Sequence, residues 1–100
     1  MIREIRSKYY GVNDRRIDAV REVDTKTVLM AARIGYAFGP HIMSTVHCGK
    51  IDAIKFLRSV CPGVGLKTSK DLVEIFSEAA EESRQDLICF ISELESELSN

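Results

Sequence analysis

The sequence GKIDAIKFLR at residues 49–58 is followed, after the six residues SVCPGV, by GLKTSKDLVE at residues 65–74. Apolar residues recur at helical spacing in both stretches, which predicts one helix over residues 50–60 and another that starts near residue 66 or 68 and ends near residue 80. Between them, PGVG at residues 62–65 predicts a break. Proline disfavours a helical residue before it, and glycine permits tight backbone geometry. A helix–loop–helix hairpin is therefore expected.

The apolar positions of the two helices predict which side chains face the core. In the first helix, Lys50, Lys55 and Arg58 fall outside the apolar stripe and are expected to lie toward solvent. The residues expected to be buried are Ile51, Ile54 and Leu57 in the first helix, and Leu72, Val73, Ile75, Phe76 and Ala79 in the second.

These two stretches resemble the C-terminal domain of the bacterial ribosomal stalk protein. The family pattern is a helix of the form K-x-x-x-I-K-x-x-R, a loop that contains glycine, and a second helix that begins G-L-K-x-x-K-D-L-V-E; both parts occur here in order, over about a quarter of the chain. The resemblance implies helices packed on a small antiparallel sheet, a fold that the Clp protease adaptor also uses. The expected fold class is therefore α+β.

The resemblance also implies a function, because the exposed basic face of the two helices recruits translation GTPases in the stalk family. A patch of Lys and Arg around a small apolar, glycine-bearing surface attracts an acidic partner quickly and holds it weakly. We expect a non-catalytic module that binds a host protein of the translation or proteolysis machinery. Carried over by position, the binding residues are Lys50, Lys55, Arg58, Lys67 and Lys70, with Gly65 and Leu66 in the loop.

The chain also departs from the family pattern. The loop is one residue longer and contains Cys61-Pro62, and after Glu74 the helical pattern continues with no closing strand. An N-terminal strand or a second copy, through dimerisation, would then complete the sheet. Residues 1–40 contain no stalk-type dimerisation segment or hinge. We therefore expect a free-standing bacterial or phage accessory protein and not a ribosomal stalk protein.

A chain of 100 residues fits a single domain, residues 1–100. We divide it into an N-terminal basic helical segment (1–40), a stalk-like strand–helix–loop–helix (41–82) and an acidic C-terminal helix (83–100). The strand is expected at residues 41–48, where apolar and polar residues alternate. The structure of residues 1–12 and the completion of the sheet stay open.

Three further helices are expected around the hairpin. Asn13 or Asp14 is a candidate N-cap for a helix with Ile17, Val20 and Val23 on its apolar face, and Asp24 is a candidate N-cap for the next helix, over about residues 25–38. That helix carries a stripe of small and apolar residues, and Gly39-Pro40 is expected to end it. The stripe is Val28, Ala31, Ala32, Gly35 and Tyr36.

The last helix is expected to begin after Ser83. The sequence Ser83-Arg84-Gln85-Asp86 has the form of a capping box, in which the serine hydroxyl bonds an amide of the first turn. A seam of apolar residues then follows at spacings of four, three and four, which suits packing on the domain or self-association. The seam is Leu87, Ile91, Leu94 and Leu98.

The net charge of −1 conceals a strong charge asymmetry along the chain. Residues 1–70 hold 13 Lys and Arg against 6 Asp and Glu, which gives +7, whereas residues 71–100 hold 1 against 9, which gives −8. One interpretation is that the basic part binds nucleic acid or an acidic partner while the acidic part competes with it. The other is that the two parts pack together and neutralise each other.

Nucleic-acid binding is the alternative function. Arginine and aromatic side chains together supply phosphate contacts and base stacking, and Tyr9 and Tyr10 lie within a basic N-terminal segment. The candidate residues are Arg3, Arg6, Lys8, Arg15 and Arg16. Glu4, Asp14, Asp18 and Glu22 line the same segment, so an ordinary solvated helix face is the competing interpretation.

Catalytic, metal and cofactor sites are not expected. His47-Cys48 with His41 or Cys61 is the best catalytic candidate, yet adjacency in sequence brings no base beside the thiol, and the spacing matches no zinc motif. No apolar run is long enough to cross a bilayer. Three cysteines are an odd number at no framework spacing, which is typical of reduced thiols and indicates the cytoplasm.

Overall fold

The described part of the protein is helical throughout. The structure is a computed structural model that describes residues 16–44 and 48–99, and these residues form five helices and no strand. The helices are α1 (Ile17–Glu22), α2 (Thr25–Ser44), α3 (Cys48–Val60), α4 (Leu66–Glu82) and α5 (Arg84–Ser99).

The α+β prediction, with its small antiparallel sheet, is wrong. The strand expected at residues 41–48 is not formed in the described residues, because residues 41–44 are the last turn of α2 and Cys48 is the first residue of α3. Residues 45–47 lie outside the described ranges. The prediction rested on alternation over only a few residues, and a short apolar run does not distinguish a strand from the continuation of a helix.

The expected end of the second helix at Gly39-Pro40 is also wrong, because α2 continues to Ser44. A proline inside a helix removes one backbone hydrogen bond and crowds the carbonyl four residues earlier, at a cost of about 3 kcal/mol. Here α2 has 20 residues and packs on three other helices. The hydrogen bonds and contacts of so long a helix outweigh one local defect.

The helix α4 is the centre of the domain, because it contacts each of the other four described helices and packs most extensively on α2. All but one of the α4 residues predicted to be buried are indeed buried, and Ala79 is partly buried. The α2 stripe is also confirmed, with Tyr36 partly exposed. On α5, Leu87, Phe90 and Leu94 complete the core, and the ring centroids of Phe76 and Phe90 lie 5.7 Å apart.

The helices α2 and α4 approach each other closely at Gly35. A Cβ atom built on Gly35 would lie 2.5 Å from the Cβ of Phe76 and 2.7 Å from its carbonyl carbon. Only glycine allows two helix backbones to come this close without displacement. Gly35 therefore sets the separation at which the two most extensively packed helices meet.

Side-chain caps fix the starts of α2 and α5 as the sequence predicts. The Thr27 amide donates a hydrogen bond to Asp24 Oδ1 at 2.9 Å, and the Asp86 amide donates one to Ser83 Oγ at 3.3 Å. The Thr27 hydroxyl and then the Thr27 amide stabilise the charged carboxylate, and they hold the pKa of Asp24 below its ordinary value of 3.8. Both junctions between helices are thus defined locally.

Other predictions fare unevenly. Arg16, in helical geometry, stands at the N-cap of α1, whereas the predicted caps Asn13 and Asp14 lie outside the described residues, as do residues 1–12. On the α5 seam, Ile91 is partly buried but Leu98 is exposed, because the seam extends beyond the core that covers it.

In the described ranges, no helix combines the length and the apolar character needed to cross a membrane.

We predict that Gly35→Ala destabilises the protein, because the new methyl group overlaps the backbone of Phe76. Overpacking of this kind costs about 1–3 kcal/mol. Urea unfolding followed by circular dichroism would measure it, with Gly63→Ala as the control, since no atom lies within 4 Å of a Cβ built on Gly63. Equal stability of the two variants would contradict the close approach of α2 and α4.

The lowered pKa of Asp24 predicts a specific acid dependence of stability. A carboxylate whose pKa falls on folding contributes stability that is fully present above its unfolded pKa and is lost as the pH falls through the folded pKa. Asp24→Asn keeps a capping oxygen but cannot titrate. We therefore expect wild type to lose more unfolding free energy than Asp24→Asn between about pH 6 and about pH 3 in urea titrations. Parallel losses would show that the Asp24 cap does not titrate with folding.

Candidate protein-binding surface

The hairpin of α3, its loop and α4 exists as the sequence predicts, and its cations face solvent. In α3, the residues Ala53, Ile54 and Leu57 are buried, whereas Lys55 and Arg58 are exposed. Gly65, Leu66, Lys67 and Lys70 are also exposed. Six of the seven residues assigned to the partner-binding set are therefore accessible on one helix–loop–helix element.

Large apolar side chains are concentrated on the same element. The exposed ones in the described residues are Phe38, Ile51, Phe56, Val60, Leu66, Ile88 and Leu98, and four of these seven lie between residues 51 and 66. Phe56 and Ile51 are each 49% exposed, and Leu66 is 61% exposed. The prediction that Ile51 is buried is wrong. Apolar side chains grouped among cations are typical of surfaces that bind other proteins.

We define the hairpin surface by eight exposed apolar and cationic side chains of this element. Lys55 and Arg58 lie on one stripe of α3 with Ile51, whereas Phe56 and Val60 lie four residues apart on the other flank. Leu66 and Lys67 occupy the first turn of α4. The full set is Ile51, Lys55, Phe56, Arg58, Val60, Leu66, Lys67 and Lys70.

The seventh predicted binding residue, Lys50, is used inside the fold. Its Nζ pairs with Glu74 Oε2 on α4, and both side chains are less than one-third exposed. In contrast, Lys55, Arg58, Lys67 and Lys70 form no ion pair with any residue of the described ranges. Charges that the fold leaves unpaired are the ones available to a partner.

Mutual neutralisation of the basic and acidic parts of the chain is real but partial. Arg16 lies 3.5 Å from Glu74 and donates a 3.0 Å hydrogen bond to Glu78, and Arg33 pairs with Glu95. Each of these pairs joins a cation before residue 71 to an acid after it. Of the nucleic-acid candidates, Arg16 is therefore held by two carboxylates, while Arg3, Arg6, Lys8 and Arg15 lie outside the described residues.

An open groove of about 540 Å³ lies at the tip of the hairpin. Residues 60–65 and Thr68 form one side, and residues 22–24 with Lys26 and Thr27 form the other. The apolar contribution comes from Val23, Val60, Cys61, Pro62 and Val64. Val60 belongs both to the groove and to the hairpin surface, so the two are continuous, and a groove of this kind suits an apolar side chain of a partner.

A second, smaller cleft contains acidic side chains that lower the positive electrostatic potential around Lys67. It has a volume of about 330 Å³ and includes Lys67 together with Asp18, Glu22 and Asp71. Three carboxylates near one ammonium group weaken the positive potential there. The strongest positive field of the hairpin surface therefore belongs to Lys55, Arg58 and Lys70.

The charges of α4 oppose its helix dipole at both ends. Its first turn contains Lys67 and no acid, and its last turn contains Glu81 and Glu82 and no base. The N-cap residue is Gly65, which makes no side-chain hydrogen bond to the first turn. Because a helix dipole favours acids at the N-terminus and bases at the C-terminus, this arrangement costs folding free energy.

The catalytic candidates lie on different parts of the chain. Cys61 is buried at the wall of the groove, and Cys48 is the first residue of α3. His47 lies outside the described ranges, and His41 belongs to the last turn of α2. Over residues 16–44 and 48–99, no three His, Cys, Asp or Glu side chains form a metal-binding group.

Comparisons with known proteins give no assignment. No protein-family model, no curated protein and no solved structure matches the chain. Any function therefore has to be argued from the geometry of the hairpin.

Sequence reasoning missed the exposed Phe56 and Val60 and the groove. A signal for Phe56 was present, because it is offset by one residue from Leu57 and thus by about 100° around the helix from the buried stripe. No signal existed for the groove, since its second wall comes from residues 22–27, which are distant in sequence.

The reversed charge of α4 yields a prediction about stability. Glu82→Lys is expected to raise the free energy of unfolding by about 0.3–1 kcal/mol, because a cation in the last turn suits the dipole. The control is Glu93→Lys, which makes the same charge change outside the last turn of α5. Thermal unfolding at low ionic strength compares them, and a Glu82→Lys variant no more stable than the control would argue against the dipole conflict.

Proposed function

We propose that this protein is a non-catalytic module that binds an acidic protein through the hairpin surface. Within the described residues, four of the seven large exposed apolar side chains are grouped with cations that form no ion pair there, and this observation carries the proposal. Cations steer an acidic partner toward the surface, and the apolar side chains supply contact area once it has docked. The resemblance to the stalk domain supports the same residues, although the described residues do not form the sheet that it implied.

The expected interaction is fast and salt-sensitive. Exposed charges raise the association rate more than they raise the affinity, and salt screens them. An anchor side chain in the groove beside Val60 would add most of the remaining affinity, because buried apolar anchors dominate the energetics of interfaces. We place this binding in the cytoplasm, where reduced thiols such as Cys61 and Cys89 are stable. Proteins of the translation or proteolysis machinery are the first partners to examine.

Nucleic-acid binding is weaker as a proposal, because Glu74 and Glu78 already occupy Arg16. Phosphate would have to displace both carboxylates before Arg16 became available. The capture experiment distinguishes the two ligands, because nuclease treatment removes nucleic acid and leaves a bound protein.

The test is capture of partners from nuclease-treated bacterial lysate, read by mass spectrometry. Lys55→Glu with Arg58→Glu should abolish capture of a defined protein, since both side chains are exposed and neither forms an ion pair within residues 16–44 and 48–99. Phe56→Ala should weaken the same capture without changing charge. The matched control is Arg21→Glu with Arg33→Glu, which changes the net charge equally on exposed positions outside the hairpin. This control should bind as wild type does.

Each result has a distinct meaning, provided circular dichroism shows that the variants are folded. Unchanged capture by Lys55→Glu with Arg58→Glu would refute the hairpin surface as the binding site. Equal loss in the control would indicate a response to net charge alone. Recovered material that disappears on nuclease treatment would instead assign nucleic acid as the ligand.

A further inference from the structure

We infer that the hairpin surface also binds a second copy of this chain, whose acidic end it recognises, so that copies associate head to tail. The acidic end is defined by Glu81 and Glu82 of α4 with Asp86 in the first turn of α5. This inference rests on the proposed function, because it names one occupant of the same surface.

The charges left over after internal pairing are complementary. All three side chains of the acidic end are exposed, and none forms an ion pair within the described part of the chain. Lys55, Arg58 and Lys70 are likewise exposed and unpaired there. Internal pairing instead uses Glu74, Glu78 and Glu95. The molecule therefore presents a cationic surface and an anionic surface at the same time.

These two surfaces cannot neutralise each other within one molecule, because α4 holds them apart. Lys67 and Glu82 are 15 residues apart in this helix, which corresponds to about 22 Å along its axis. The described domain has extents of 35, 29 and 26 Å, so this separation spans most of it. A second copy can place its acidic end against the hairpin of the first, whereas the acidic end of the first copy is too far from its own hairpin.

Head-to-tail contact would also relieve the dipole conflict of α4. The N-terminus of α4 lacks a side-chain cap and an acid in its first turn, and carboxylates from a second copy would supply negative charge there. At the other end, the cations of the next hairpin would lie beside Glu81 and Glu82. Each contact would thus bring compensating charges to the two ends of α4, where the side-chain charges of a single molecule oppose the helix dipole.

An exposed apolar side chain is found on α5 close in sequence to the acidic end, but on the other flank of the helix. Ile88 is 37% exposed and is turned about 160° around the helix from Asp86. Phe56 and Leu66 of the hairpin surface offer apolar contact area among the cations. Apolar contact combined with opposite charge is what a specific but weak association requires.

Such an interface joins two different surfaces, so it is heterologous. It produces rings or open chains rather than a two-fold dimer. The mass of the assembly should rise with protein concentration and fall with added salt, because exposed charges drive the association.

Sedimentation velocity with two neutralised variants tests this geometry. The basic-surface variant is Lys55→Gln, Arg58→Gln and Lys70→Gln, and the acidic-end variant is Glu81→Gln, Glu82→Gln and Asp86→Asn. At low salt, wild type should reach at least about twice the monomer mass at high concentration, and each variant should stay monomeric. An equimolar mixture should form a 1:1 dimer and nothing larger, since each variant retains one functional surface.

A wild type that stays monomeric would overturn the inference, as would an acidic-end variant that associates like wild type or a mixture that stays monomeric. The lysate capture separates this result from the proposed function. If wild type is monomeric but Lys55→Glu with Arg58→Glu still loses a captured protein, only the inference of self-association is refuted and the proposed function is retained. If wild type associates but captures no other protein, the hairpin surface serves the second copy alone.

Discussion

The close approach of Gly35 to Phe76 is the contact on which the rest of the structure depends. It sets the separation of α2 and α4, the two most extensively packed helices, and α4 in turn contacts every other described helix. A β-carbon at position 35 would push the axes apart and would loosen the layer that contains Phe76 and Phe90. The orientation of both ends of α4, and hence of both charged surfaces, follows from this one crossing.

The distribution of ion pairs explains why the ends of α4 stay exposed to a partner. Arg16 and Lys50 both contact Glu74, near the middle of the helix, and Arg16 also contacts Glu78. Internal neutralisation therefore acts on the centre of α4 and ties α1 and α3 to it. Fully exposed ion pairs contribute up to about 1 kcal/mol each, and these pairs are partly buried. Their larger effect here is to decide which charges remain available.

Sequence reasoning succeeded where the structure is determined locally. The Asp24 and Ser83 caps depend on side chains within three residues of the amides they bond, and the buried stripe of α2 follows from helical spacing alone. It failed at residues 41–44, where eight residues of alternation predicted a strand but the preceding helix continued. It also failed at Ile51, because burial there depends on how far the neighbouring helices reach and not on the spacing within α3. The groove was beyond prediction, since two distant segments form it.

The helix–loop–helix hairpin is formed, although the α+β fold implied by the stalk resemblance is not formed in the described residues. The stalk-like pattern in residues 49–74 implied a sheet, and the described residues form helices instead. The pattern itself specifies only two helices, a glycine-bearing loop and the cations between the buried positions, and those features are local. Function belongs to a site and not to a fold, so a correct hairpin on an unexpected scaffold can present the same chemistry. What the scaffold adds is the placement of α4, which puts Glu82 about 22 Å along the helix axis from Lys67 in its first turn. If both proposals hold, an acidic protein and a second copy of this chain would compete for the same hairpin surface, because they would use the same cations.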